Sequence, residues 1–264
     1  MLRPATEKEL KIVKECRNQV KGANFALLYG AGVKTLAASL KKADHTLSEK
    51  DANILAKRLI VLKKGKKDED GTFYGGTDSV VYNAMYSIAR SQTPSLPALG
   101  TKISEALRPA MVGEDFMTGR TNFCVQASGA EMLSVIVITI KALCKKYGLE
   151  AYFCVSIHDE IHYTVKEEQA ELFCAVMNMA HFYTWLFFHE KFGVAEFPWQ
   201  RAWFDDITIR HCVCKEANEN LVTPSNPDGG AFGQKVTMKT LLENKIYEQL
   251  GKRLGINSVA DTAG

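Results

Sequence analysis

The sequence predicts an α+β fold in which helices dominate. Long stretches repeat apolar residues at helical spacing. β-Branched and aromatic residues concentrate in one pair of adjacent short runs, Ala151–Ile157 and Ile161–Val165, which read as two strands. Between them stands His158-Asp159-Glu160, so the runs form a hairpin over 151–165 with two carboxylates at its tip. Two charges beside a buried sheet are costly unless a cation or a solvated cleft receives them. Asp159 and Glu160 are therefore the first candidates for holding a metal.

The remaining elements follow in order. Thr6 reads as the N-cap of a helix over 6–29, which Gly30-Ala31-Gly32 closes. Helices follow over 33–43 and 48–62, the second opened by Ser48 with Asp51 three residues on. The charged run Lys63–Gly71 reads as a solvated turn. A helix is expected over 76–91, a turn at Pro94 and Pro97, and a short helix within 100–108. Residues 114–147 read as a long helix with an apolar centre, as if packed under a sheet. After the hairpin, 166–191 form a second long helix with Phe173, Val176, Met177, Ala180, Trp185 and Phe188 among its apolar positions. One further strand is expected within 198–215, a loop over Thr223–Gly230, and a terminal helix over 236–252. No internal repeat is visible.

The chain has 264 residues, 46% apolar and 24% charged, enough for one large domain or two small ones. A net charge of +3 does not by itself mark a nucleic-acid binder, so any such surface must be local. The seven cysteines show no CxxC pair or zinc-ligand spacing, and read as buried thiols of a reducing compartment. The longest uncharged apolar stretch, Met132–Ile140, falls far short of the ~20 residues that span a bilayer. No targeting segment is visible, and no membrane partner is expected.

Two more constellations could carry chemistry. Arg17, Lys21, Phe25 and Tyr29 are spaced by four, so they form one slowly winding stripe on the first helix. Two cations suit a polyphosphate, and the aromatics suit a base or sugar face. The same stripe also fits an amphipathic helix with snorkelling cations. Arg120, Asn122 and Gln126 stand where a helix begins, placed to hydrogen-bond a sugar–phosphate backbone or a groove edge, or simply to cap and solvate the helix.

Taken together, these segments resemble family A DNA polymerases. Arg17-x3-Lys21-x2-Asn24-Phe25-x3-Tyr29-Gly30 is similar to the nucleotide-binding helix of their fingers, motif B. Val155–Glu160 is similar to motif C of their palm, and Arg120, Asn122 and Gln126 to the motif that grips primer–template. Gly75–Ser79, Phe116–Arg120 and above all Thr223–Pro227 resemble the mitochondrial gamma branch. The resemblance runs from about residue 10 to about 230.

The resemblance implies a palm of small antiparallel sheet backed by long helices, over residues 111–264 with a C-terminal extension. It implies helical fingers over 1–110. It implies two Mg2+ ions bridged by two aspartates, of which Asp159 is one, with Glu160 a weaker or indirect ligand and His158 beside the primer terminus. Arg17 and Lys21 would meet the incoming dNTP, and Phe25 and Tyr29 would border its sugar and the nascent base pair. Arg120, Asn122 and Gln126 would hold the DNA primer–template. An accessory processivity subunit and a mitochondrial location belong to the same expectation.

Two departures matter. No segment resembles motif A, the strand with the second metal-binding aspartate, so the chain alone is expected to be inactive. A non-catalytic remnant and a bacterial or viral family A enzyme stay open beside the gamma reading. Phe25 stands where gamma enzymes usually carry Tyr. A phenolic oxygen there replaces the hydrogen bond of a missing 3′-hydroxyl, so Phe25 implies discrimination against dideoxynucleotides.

Overall fold

A computed structural model of the chain describes residues 6–191, 207–210, 222, 224, 227–230 and 233–255. It has the predicted α+β character: nine helices and three two-stranded antiparallel sheets among the described residues. The chain divides into two compact units, Met1–Gly129 and Ala130–Gly264.

In the first unit, α1 (Glu7–Leu28) begins at Thr6 through a full capping box. The Thr6 Oγ1 accepts from Glu9 N (3.3 Å), and Thr6 N donates to the Glu9 carboxylate (2.8 Å). The helix α2 (Val33–Ala43) matches the expected range, and α3 (Glu49–Lys64) starts at its Ser48 cap. These three helices share a core of Leu27, Leu36, Ala37, Ala52 and Ala56. Only the last turns of α1 join it, since Leu10, Ile12, Val13 and Val20 are exposed.

The run Lys63–Gly71 is not a plain solvated turn. It carries β1 (Gly65–Lys67), paired with β2 (Phe73–Gly75) in the register Lys66↔Tyr74 and Lys67↔Phe73. Gly65 is what permits the hairpin to leave α3. Its φ is +82°, and a Cβ there would lie 2.0 Å from the Tyr74 carbonyl oxygen. The helix α4 (Ser79–Arg90) follows. The expected helix in 100–108 shrinks to a single 3₁₀ turn, Glu105–Leu107, because Pro109 starts a separate short helix, α5 (Pro109–Val112), at its N1 position.

The helix α6 (Met117–Tyr147) runs through the boundary between the units. Its apolar centre is not packed under a sheet as the sequence suggested. Ile138 is 65% exposed, and only 17% of the most apolar 18-residue window is buried. By length and composition α6 is long enough and apolar enough to cross a membrane. The nine-residue stretch concealed this because flanking charges interrupt an otherwise apolar helix.

In the second unit, β3 (Ala151–Ile157) and β4 (Glu160–Val165) form the predicted hairpin. The helix α7 (Ala170–Lys191) buries Phe173, Val176, Ala180 and Phe188, as its apolar period predicts. The strand β5 (Ile207–Ile209) falls within the expected segment, and pairs with an unforeseen β6 (Gln234–Val236). The predicted terminal helix breaks in two, α8 (Met238–Glu243) and α9 (Ile246–Arg253), because Lys245 takes a left-handed conformation at φ 52°. Thr223, Ser225 and Asn226 of the Thr223–Pro227 segment lie outside the described residues.

Candidate functional site

The site residues fall into two groups, one in each unit. In the first unit the α1 stripe is physically continuous. Lys21 Nζ lies 5.7 Å from the centre of the Phe25 ring, and Phe25 stacks on Tyr29 at 5.9 Å and 26°. Arg17, Lys21 and Phe25 are exposed, and Tyr29 is half-buried. The Tyr29 hydroxyl accepts a 2.8 Å hydrogen bond from Gln126 Nε2, a residue 97 positions away. Two separate sequence motifs therefore meet in one array running from cations through stacked rings to an amide.

The end of α1 also approaches the start of α6 closely. Gly30, at φ +84°, ends α1, and a Cβ there would sit 3.2 Å from Thr118 Cγ2 at the start of α6. The positive φ is what favours glycine here, and an added Cβ would also press on the Thr118 methyl at the start of the helix that carries Gln126.

Arg120 and Asn122 are placed differently from Gln126. Arg120 is 1% exposed, and its guanidinium donates to the Gly113 carbonyl (2.8 Å) and lies 3.7 Å from Met117 Sδ. It braces the entry to α6 in this structure. The Asn122 side-chain oxygen is buried and accepts no hydrogen bond among the described residues, so it is a free acceptor beside the array's helix. Of the three, Gln126 alone joins the α1 stripe.

In the second unit, His158 and Asp159 form the two-residue turn of the hairpin, with Ile157↔Glu160 as the last ladder pair. His158 holds a left-handed φ of 55°, uncommon for any residue but glycine and tolerated by His, Asn and Asp more than by others. One side of the hairpin is anchored. Tyr163 packs on Phe173 of α7 at 5.1 Å and on Phe153 at 5.5 Å, and burial pushes its phenol up to about 12. The strand pairing places Val155, Ile157, Glu160 and His162 together on the opposite side. Val155 and Ile157 are exposed there, and His162 Nε2 lies 3.7 Å from a Glu160 oxygen.

His158, Asp159 and Glu160 are all exposed. The cost argued from the sequence is thus not incurred, because water solvates both carboxylates. Among the described residues no group of three or more His, Cys, Asp or Glu side chains converges. Asp159 and Glu160 present oxygen donors to solvent, which suits Mg2+, a cation that binds through one or two carboxylates and keeps several waters.

Sequence comparison identifies relatives of the chain. No family model matches it. DNA polymerase gamma of Komagataella pastoris is 32% identical over 242 residues, 90% of this chain and 24% of the relative. DNA polymerase subunit gamma-1 of Gallus gallus is 35% identical over 202 residues, 75% of this chain and 31% of the relative. The chain belongs to the DNA polymerase gamma family. It spans between about a quarter and a third of these gamma relatives. Among solved structures, the POL domain of Pol1 from M. smegmatis, in complex with DNA primer–template and dNTP, covers 64% of this chain and 28% of its own, at 18% identity and a TM-score of 0.44. That structural likeness is too slight to carry an argument, and the gamma assignment rests on sequence.

The sequence reading overlooked one residue that shapes the first unit. Asn83 of α4 donates to the Phe73 carbonyl (2.8 Å) and accepts from the Phe73 amide (2.9 Å). It clamps the β1–β2 hairpin by imitating a neighbouring strand. A lone Asn in a helical pattern offers no sequence signal for this.

Proposed function

We propose that the chain takes part in template-directed DNA synthesis during mitochondrial DNA replication, as part of a gamma-type polymerase. The observation that carries the reading is the Lys21–Phe25–Tyr29–Gln126 array. Arg17 and Lys21 neutralise the triphosphate of an incoming dNTP as charge moves toward pyrophosphate. The exposed Phe25 face and the Tyr29 ring border the sugar and the new base pair, and Gln126 sets the Tyr29 hydroxyl while facing the primer–template. Residues 1–110 act as fingers and 111–264 as palm. Arg120 braces the start of the helix that carries Gln126, and Asn122, with its side-chain oxygen buried, follows it on the same helix.

Asp159 and Glu160 hold one side of the metal site, with His158 at the primer terminus. Two bound Mg2+ ions would lower the pKa of the primer 3′-hydroxyl and stabilise the leaving pyrophosphate. The exposed apolar pair Val155 and Ile157 supports a hairpin that is completed by protein outside the described residues. No segment of the sequence resembles motif A, the strand with the second metal-binding aspartate, and on this reading the chain alone is inactive. An accessory processivity subunit belongs to the intact enzyme.

Two measurements test this. The purified chain binds dNTP in the presence of primer–template, and Lys21→Ala weakens that binding at least tenfold. Binding that ignores both the template and Lys21→Ala refutes the reading and favours a non-catalytic remnant. Primer extension by the chain alone with Mg2+ or Mn2+ gives no product; clear synthesis refutes the half-site.

A further inference from the structure

Glu160 and His162 alternate along β4, so both project from the side of the hairpin opposite the α7 anchor. The anchor fixes this arrangement. Ile161, Tyr163 and Val165 pack against the core of the second unit, and the residues between them face away from it.

On that side His162 Nε2 lies 3.7 Å from a Glu160 oxygen. The nitrogen is closed off from water and has no hydrogen-bond partner among the described residues, although the side chain as a whole is 24% exposed. Other candidate partners are engaged elsewhere. The Thr164 hydroxyl is paired with Cys154 Sγ (3.0 Å), and the next lysine in the chain, Lys166, takes Glu150 (2.6 Å). Among the described residues no other basic side chain pairs with Glu160. A ring nitrogen that water cannot reach is costly to leave unpaired. The gap is about half an ångström beyond hydrogen-bonding length, and a turn of the exposed Glu160 carboxylate closes it.

We propose that His162 is a positioning residue for Glu160. Its Nε2–H donates to one carboxylate oxygen and leaves the other free to hold a water of a divalent cation. The contact belongs to this chain; its use in nucleotidyl transfer rests on the polymerase reading. The neighbouring side chains reinforce it. Val155 pairs with His162 and Ile157 with Glu160, and both are exposed. Covering them lowers the dielectric around the pair and strengthens a hydrogen bond to a charged acceptor. If His162 merely fills the strand face, its ring does not sense the Glu160 charge, and a side chain of similar size serves as well.

Histidine 15N NMR of the full chain reads the contact, with the His162 signals identified by their loss in His162→Gln. Glu160→Gln should move the His162 ring-nitrogen signals, and Asp159→Asn should move them far less. Signals that ignore Glu160→Gln overturn the proposal, as do equal shifts in the two variants. In the intact polymerase, His162→Leu should raise the Mg2+ concentration for half-maximal primer extension about tenfold, the lower end of what losing a ligand's hydrogen-bonding partner costs in metal affinity. His162→Gln, which can place an N–H near the position of Nε2, should return it to within about twofold of wild type. An unchanged Mg2+ dependence in His162→Leu, or no recovery in His162→Gln, overturns the proposal. Both variants lose the packing of the ring, so a fall in melting temperature common to both does not produce the difference between them. Full primer extension by Asp159→Asn defeats the polymerase reading of the hairpin tip, while the NMR shifts still decide the His162–Glu160 contact.

Discussion

The hydrogen bond between Gln126 and Tyr29 is the contact that turns two sequence motifs into one site, and its energy is measurable. Tyr29→Phe removes the hydroxyl and keeps the ring stacked on Phe25, 5.9 Å away. Gln126→Ala removes the donor from an exposed position, where water replaces part of what is lost. A neutral hydrogen bond contributes about 0.5–1.5 kcal/mol net, and exposure places this one in the lower half, about 0.5–1 kcal/mol. That corresponds to about two- to fivefold in an opening equilibrium. The amides of Tyr29, Gly30 and Ala31 donate to Phe25, Leu27 and Ala26, so hydrogen exchange at the end of α1 reports the opening directly. Each single variant should speed exchange there by about two- to fivefold, and the double variant no more than either one. Exchange rates that multiply in the double variant show that the two side chains act independently. The array would then be two neighbouring surfaces rather than one site.

Four other outcomes follow from the same structure. Asp159→Asn should abolish metal-dependent incorporation by the intact polymerase while changing chain stability by less than about 0.5 kcal/mol, since Asp159 is exposed; a large fall in melting temperature would show a structural role instead. Asn83→Leu removes both tethers of Phe73 and should cost about 1–3 kcal/mol of local stability, read as faster exchange at Phe73 with no change in α7. Burial pushes the Cys124 and Cys144 thiols up to about 11 and Cys174 up to about 12. These groups are neutral in both states below the unfolded pKa. Above it the unfolded chain ionises first, so stability falls as pH rises from about 9 toward 12. At pH 8 a thiol reagent should label exposed Cys16 and Cys154 and spare those three, and equal labelling would show that their burial is not maintained. In the intact polymerase, Phe25→Tyr should raise dideoxynucleotide incorporation relative to deoxynucleotide, and equal discrimination by both forms refutes the assignment of Phe25 to the sugar.

Local signals were legible where one segment contains all the information. The Thr6–Glu9 and Ser48–Asp51 caps start α1 and α3 as predicted, and the helix 33–43 was read to the residue. The β1–β2 hairpin was hidden because each strand is three residues long and its tether, Asn83, comes later in the chain. Arg120 looked like a surface fork and lies buried against Gly113, since a guanidinium near a helix entry finds backbone carbonyls as readily as a ligand.

The carboxylates at the hairpin tip require a changed argument. From sequence they were candidates because two charges beside a sheet should be expensive. In the structure they are exposed and expense selects nothing, so what remains is position. The left-handed backbone of His158 turns the chain in two residues, and the Tyr163–Phe173 contact fixes the hairpin on α7. Asp159 and Glu160 are thereby carried at the end of an anchored element, with Val155 and Ile157 uncovered beside Glu160. Burial of those apolar side chains by another part of a polymerase would remove water from Glu160 and its neighbour Asp159. The electrostatic cost would arise at that moment, and a divalent cation would offset it. Metal affinity should therefore be weak in the chain alone and appear with assembly, a coupling that calorimetric Mg2+ titration before and after adding the rest of the polymerase would measure.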